Sequence, residues 1–338
     1  MPDNTYESRQ TRFGYAEQSV FATAEADGVA VSEVTCDPFD IDPDVMIAET
    51  PHNHGTRQPV EQTTSHSTQG SASKLPVNGP IELTDIDQFA YAHFQKVIEA
   101  GAGTYEKTFT YFVDHPDFSA DSGHFLTWMK RMPEDGTSQK VKGCIATRFK
   151  ISGERNEMMM FETEWVGLGT TEDSATPSGT WTPTPGDGTN YLYFNSISSA
   201  TLTHGASLSS PVALSLASFE VEGTFDHEQV GHDATNGFEQ HGMKNRSGTF
   251  KIKMLRDATA DQSLISMKEG ELIQFDVAFG TTVTISVTGK IESLEYDTEG
   301  LLVNEITCRM LSSYTTGSVG ECFTLVIANS VDRGWPDA

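Results

Sequence analysis

Apolar and polar residues alternate with a period of two along much of the chain, the mark of a strand with one buried face. Val283, Ile285 and Val287 fall on one side, and Thr282, Thr284, Ser286 and Thr288 on the other. Phe250, Ile252 and Met254 alternate with Lys251 and Lys253 in the same manner. In the first half, Ile145, Phe149 and Ile151 are set against Cys144, Arg148 and Lys150, and Met159, Phe161 and Trp165 against Met158, Glu162 and Glu164. Thr108-Phe109-Thr110-Tyr111-Phe112-Val113 reads as a further short strand. The fold class this predicts is mainly β.

Two helices interrupt the strands. The first is expected to start at Thr84, whose hydroxyl can cap it, with Asp85 and Asp87 near the positive end of the helix dipole. Ile86, Phe89, Ala90, Phe94, Val97 and Ile98 form its apolar stripe, and Gly101 is the C-cap candidate. The second is expected from about Asp257 to Glu269, ending at Gly270, with a thinner stripe of Leu264, Ile265 and Met267.

The stretch 170–190 (TTEDSATPSGTWTPTPGDGTN) is rich in Thr, Pro and Gly and reads as a linker. It separates two halves with the same order of elements: an early strand, a long polar loop, a returning strand, a helix and a closing run of strands. Gly143-Cys144-Ile145 opens one closing run and Gly289-Lys290-Ile291 the other, 289 − 143 = 146 residues apart. A shared order of this kind points to a duplicated unit. The expected division is an N-terminal arm over 1–30, a first domain over 31–169, the linker, and a second domain over 191–338. Each half also carries a long polar loop, one from His52 to Ser73 and one from His227 to Asn245. Unstructured loops of this length are usually functional, so both are expected to act outside the domain core.

Charge narrows the function. The chain has 22 Lys+Arg against 48 Asp+Glu, a net −26, which disfavours gripping nucleic acid by its phosphates. It suits a passage past which DNA slides without being held. No apolar run approaches the roughly 20 residues needed to span a bilayer, and the start Met1-Pro2-Asp3-Asn4-Thr5 has neither a basic nor an apolar stretch, so no secretory signal is expected. Cys36, Cys144, Cys308 and Cys322 lie far apart, with no CxxC pair for a structural zinc, and are expected as reduced thiols.

The candidate chemical motifs fall short of a site. His52-x-His54, with His66 nearby, lacks a third ligand at a metal-binding spacing. Asp37, Asp40, Asp42 and Asp44 lack the Gly and Glu of a calcium loop. Gly101-Ala102-Gly103 and Gly167-Leu168-Gly169 are too short for a phosphate cradle and read as turns. Asp114-His115 and His232-Asp233 come with no Gly-x-Ser-x-Gly elbow, and Met158-Met159-Met160 reads as strand packing. No catalytic residue, cofactor or metal is expected, and the chain is expected not to be an enzyme.

A resemblance adds to this reading. Arg12-Phe13-Gly14-Tyr15-Ala16-Glu17-Gln18-Ser19-Val20-Phe21, the Thr108-Phe109-Thr110 strand after a helix, and Gly143-Cys144-Ile145 leading to Phe149-Lys150-Ile151-Ser152-Gly153-Glu154 carry its first half. Trp165-Val166-Gly167, the strand from Val212 to Gly223 and the Gly248-Thr249-Phe250-Lys251-Ile252 return complete it. Over about residues 9 to 312 these segments resemble the larger major tail tube proteins of long-tailed, siphovirus-like bacteriophages. The resemblance implies two tandem tail-tube-type β-sandwich/β-barrel repeats, each with one flanking α-helix and a long polar loop. It implies a structural virion protein that self-assembles into stacked rings around a channel for DNA ejection. Six domains per ring would come from three duplicated chains, a trimeric pseudo-hexameric ring, the alternative being a hexamer. Other implied partners are tail terminator, distal tail and tape-measure proteins, with DNA crossing the lumen unbound and no membrane insertion. The implied location is the phage tail, after assembly in the host cytoplasm.

Ring stacking is expected to use the polar loops, with His52, His54, Arg57, Gln62, His66 and Gln69 in the first and His227, Gln229, His232, Asn236 and His241 in the second. The competing reading is a tail-tip or adhesion-type β-sandwich that binds a ligand, for which Trp181 is the one aromatic candidate. A β-rich hydrolase has no support beyond chance pairs of carboxylates.

Overall fold

The computed structural model describes residues 12–18, 31–39, 42–51, 64–111, 123–131, 138–168, 170–173, 181–182, 190–204, 208, 211–231, 240–255, 267–296, 303–311, 314–315, 318–319 and 322–335. The chain is mainly β and antiparallel. Its first half contains β1 (Arg12–Gln18), β2 (Val31–Glu33), β3 (Asp42–Pro51), β4 (Thr64–Pro80), α1 (Ile86–Phe94), β5 (Val97–Gly101), β6 (Tyr105–Thr110), β7 (Phe125–Arg131), β8 (Ser138–Glu154) and β9 (Met160–Leu168). Two short strands follow, β10 (Thr170–Asp173) and β11 (Trp181–Thr182). The second half contains β12 (Ser199–His204), β13 (Val212–Ala213), β14 (Leu216–Val230), β15 (Gln240–Leu255), β16 (Leu272–Phe279), β17 (Val283–Tyr296), β18 (Val303–Met310), the small hairpin β19 (Tyr314–Thr315) and β20 (Ser318–Val319), and β21 (Phe323–Asn329).

One layer is an eight-strand run in the spatial order β3-β4-β9-β8-β14-β15-β18-β17, antiparallel throughout. Side chains on its inner face are apolar and buried: Leu75 and Val77, Phe161 and Trp165, Phe149 and Ile151, Phe219 and Val221, Phe250 and Ile252, Ile306 and Cys308. Against them pack two smaller sheets, β11-β2-β1-β7-β8-β10 and β13-β12-β16-β17-β21-β6-β5. Trp128 of β7 meets Trp165 of β9 at 5.2 Å between ring centroids, and Phe275 of β16 meets Phe219 of β14 at 5.7 Å. The two layers thus share one apolar core, with Phe89 of α1 inserted beside Trp128, Phe161 and Trp165.

β8 and β17 each belong to both layers. The early part of β8 pairs with β7 and β10, and its later part with β9 and β14. The early part of β17 pairs with β16 and β21, and its later part with β18. Each strand bends at a one-residue bulge, at Thr147 in β8 and at Glu292 in β17. The correspondence extends further. The pairings β1–β2, β1–β7, β3–β4, β4–β9, β7–β8 and β8–β9 have counterparts in β12–β13, β12–β16, β14–β15, β15–β18, β16–β17 and β17–β18.

Several sequence expectations change. α1 ends at Phe94, with Gln95 left-handed at φ 57, because Val97 and Ile98 leave the helical stripe for β5 and pair with Phe109 and Thr108. Its N-cap is Asp85, not Thr84. Residues 12–18 are no arm: Phe13 and Tyr15 are buried, and all of β1 pairs with β7. Ile145 and Phe149 do not share a face, because the Thr147 bulge resets the alternation. Ile145 packs in a small cluster with Phe125, Val166, Leu168 and Phe225, while Phe149 lies in the main core. The segment 170–190 is not bare linker, since β10 extends β8 and β11 pairs with β2. Gly101 ends β5 and Ala102-Gly103 lie in the bend that leads to β6, whereas Gly167 and Leu168 belong to β9, and a Cβ on Gly167 would lie 2.5 Å from the Cys144 sulfur. The expected second helix falls mainly on 256–266, outside the described residues, while Met267 and Lys268 are non-helical and Glu269-Gly270 form a turn.

β21 crosses the boundary between the halves, lying between β17 and β6. Below it a buried ionic cluster ties residues 329–335 to α1. The Lys107 ammonium donates to Asp87 Oδ2 at 2.6 Å, Asn329 Oδ1 at 2.9 Å and the Val331 carbonyl at 2.8 Å. Arg333 donates to both oxygens of Asp87, at 3.1 and 3.3 Å, and to the Thr84 carbonyl at 2.6 Å. Glu99 accepts from the backbone N–H of Arg333 and of Trp335, whose ring also lies under the Lys107 ammonium.

Candidate assembly surface

The outer face of the eight-strand run is polar because period-two strands that bury one side must expose the other. Across its centre the signs alternate: Glu162 and Glu164 on β9, Arg148 and Lys150 on β8, Glu220 and Glu222 on β14, Lys251 and Lys253 on β15, and Glu305 and Arg309 on β18. A hollow of about 390 Å³ opens at one end, lined by Glu154, Met158, Glu220, Lys251, Lys253 and Glu305 among others. The overall −26 led to the expectation that a face lining a DNA passage carries more Asp/Glu than Lys/Arg. This face instead interleaves acids with bases, because neighbouring strands place carboxylates 3.0 to 3.9 Å from cations.

The densest pairing falls on the β8–β14 seam, where the two halves join edge to edge. In this seam Thr224 stands opposite Arg148, Glu222 opposite Lys150 and Ser218 opposite Glu154. Arg148 donates from Nε and Nη2 to the two oxygens of Glu222, at 3.0 and 3.1 Å, and reaches Glu164 and Glu162 at 3.3 and 3.4 Å. The hydrogen bonding to Glu222 is the main reason that the Arg148 guanidinium holds its proton more tightly than usual. Lys150 bridges Glu162 and Glu220, each at 3.0 Å. Burial works against the Lys150 charge, and those two carboxylates more than restore it.

The two ends of the run differ from this seam. Among the described residues β3 pairs with β4 alone, and residues 293–296 of β17 pair with β18 alone. Backbone N–H and C=O groups along both outer edges have no further strand partner among the described residues, the arrangement that lets an edge take up another strand.

The described parts of the regions read as long polar loops are mostly strands of two hairpins. Residues 64–73 belong to β4 and pair with β3 or β9, so His66 and Gln69 are strand positions; His52, His54, Arg57 and Gln62 lie outside the described residues. His227 and Gln229 belong to β14 and His241 to β15, with His232 and Asn236 outside the described residues. Their many polar residues do not prevent strand formation, because cross-strand backbone pairing satisfies the chain whatever the side chains.

His241 is a correction to the expected stacking residues. Its ring is buried, accepts or donates to His227 at 2.7 Å, and meets the Gly143 carbonyl at 2.6 Å, so it pins the β14–β15 hairpin to the first half. Burial, with the neighbouring His227, lowers its pKa to about 3. His93 and His124 are likewise lowered to about 3 by burial, His93 being bonded to the Ala146 carbonyl and His124 to Gln88. All four cysteines are free thiols, with Cys144 and Cys308 buried and Cys36 and Cys322 half-buried. Met159 is buried, while Met158 and Met160 are exposed.

The seam residues Arg148, Lys150, Glu220 and Glu222 did not stand out as a site in the sequence. A signal was present: Phe39-Asp40-Ile41-Asp42 and Phe219-Glu220-Val221-Glu222 match in pattern at the start of the two hairpins. Among the described residues no group of three or more His, Cys, Asp or Glu could hold a metal ion, and no helix is long and apolar enough to cross a membrane. The chain matches no family model and no curated protein.

Proposed function

We propose that this chain is a structural, self-assembling subunit, a tail-tube-type protein whose copies join edge to edge into rings that stack around a channel. The observation that carries the reading is the eight-strand run. It consists of two four-strand units already joined edge to edge at β8–β14, with an open edge of each kind left at its two ends. A sheet that repeats its own joint in the next copy has no free edge once the ring closes. Three such chains would supply 24 strands and six equivalent units. The ion-paired face would then line the channel, and its balanced charge gives DNA no basic track to hold. The resemblance to phage tail tube proteins and the paired hairpins support the same assignment, with the phage tail as location.

Negative-stain electron microscopy of the concentrated protein tests it. Rings or hollow tubes with threefold or pseudo-sixfold symmetry are expected; a uniform monomer that binds glycan through one face would instead support the adhesion-module reading.

A further inference from the structure

We infer that the joint between copies is the β8–β14 seam repeated with β3 and β17, in the same register but without the two cations that β8 supplies. The inference rests on the ring reading above and specifies which residues meet.

The register follows from the matched halves. The bulges at Thr147 and Glu292 fix β8 onto β17, so Arg148 corresponds to Ser293 and Lys150 to Glu295. Just before each bulge, Trp165 of β9 faces Ala146 and Cys308 of β18 faces Ile291, which fixes β9 onto β18. Trp165 in turn faces Leu75 of β4, and Cys308 faces Phe250 of β15. With Leu75 on Phe250, Lys74 falls on Thr249, and their partners Asp42 and Glu222 correspond. Glu222 pairs with Lys150 in the internal seam, so Asp42 of one copy stands opposite Glu295 of the next. Pro43 then meets Leu294, and Asp44 meets Ser293, where the internal seam has Thr224 opposite Arg148. Pro43 occupies the place of Gly223 and supplies no N–H, a residue tolerated at a strand edge.

The chemistry of the two joints differs. Arg148 and Lys150 pair with Glu162, Glu164, Glu220 and Glu222 inside the chain. At the outer joint their places are taken by a serine and a glutamate, while Asp42 keeps the acid of Glu222. Glu295 already stands opposite Glu305 of β18, whose cation is Lys253 at 3.9 Å. Closing the ring therefore sets the acidic position Asp42 opposite Glu295 in every joint, flanked by Glu305 and with Lys74 of β4 across from Asp42. Acids thus outnumber bases along that row, and like charges directly across a β-pair oppose pairing. The internal seam is permanent and the outer joint is charge-gated: copies stay apart at low ionic strength and join when salt screens the acids.

The test uses the full chain in two variants. Asp44→Cys with Ser293→Cys, oxidised under assembly conditions, is expected to give covalent dimers and trimers on denaturing gels, with the parent chain as control. Glu295→Lys restores the cation of Lys150 and is expected to lower the concentration for half-assembly on the order of tenfold at low salt and to flatten its salt dependence. Rings or tubes without the cross-link overturn the proposed joint and leave the tube reading standing. A cross-link with no change in salt dependence on Glu295→Lys overturns the charge gate alone. No oligomer at any ionic strength overturns both the joint and the tube reading.

Discussion

Replacing Asp87 by alanine tests the clasp beneath α1. Asp87 is fully buried and accepts from Lys107 at 2.6 Å, from Arg333 at 3.1 and 3.3 Å and from the Asn329 amide at 3.3 Å. Its removal leaves the Lys107 ammonium, itself fully buried, with two neutral acceptors and with Glu99 at 3.8 Å. Breaking a buried pair from one side costs about 3–5 kcal/mol, mostly because the other charge stays buried without its counterion. Over 338 residues the unfolding entropy is about 0.7 kcal/mol/K, so a loss of ~4 kcal/mol lowers Tm by ~6 °C if the chain unfolds as one unit. Calorimetry and urea titration read both quantities. A double-mutant cycle with Lys107→Met sharpens the test, since removing both charges should recover part of the loss. Asp87→Ala within ~1 kcal/mol of the parent, or a cycle with no coupling, would refute the idea that the ionic cluster holds residues 329–335 in place.

Other outcomes follow from the same structure. Stability should fall as pH drops from about 6.5 toward 3, because unfolded histidines take up protons that buried His93, His124 and His241 refuse until about pH 3. At pH 5 this amounts to about 2 kcal/mol per histidine, and a urea midpoint that does not move between pH 7.5 and 5 would contradict it. Gly79→Ala should destabilise by about 1–3 kcal/mol by urea titration, since the new Cβ would sit 2.4 Å from the Thr35 carbonyl oxygen. Trp128→Ala, which empties a position at the centre of the shared core, should cost about 3–5 kcal/mol and bring dye binding typical of loosened packing. Arg148→Ser with Lys150→Glu, which gives the internal seam the residues of β17, should make unfolding midpoints rise with salt where those of the parent stay level.

Strand alternation was legible wherever one face is apolar, as in Phe250-Lys251-Ile252-Lys253-Met254, because burial dictates the pattern. It failed where the sequence is polar at both alternating positions: residues 64–73 lie in β4, yet composition suggested a loop. Val97 and Ile98 fit a helical stripe by spacing, yet β-branched residues beyond a left-handed Gln95 gain more from pairing with β6. The bulge at Thr147 breaks the phase of β8 with no glycine or proline to announce it. The clasp was beyond local reading altogether, because Asp87 and Arg333 are 246 residues apart and neither sits in a motif. The seam lay between these extremes, written in the match of Phe-Asp-Ile-Asp with Phe-Glu-Val-Glu but carrying no chemistry until the strands were placed side by side.

The position of β21 has a consequence for how the chain is made. β6 emerges from the ribosome more than 200 residues before the strand that covers its edge, and Lys107 and Asp87 wait as long for Asn329 and Arg333. Until then a hairpin edge and two buried-to-be charges stand open to water and to other nascent chains. The first half is therefore not a self-sufficient folding unit, despite holding the equivalent strands of a whole one. Completion of the sheet is a late event, because β21 is made after every other strand described.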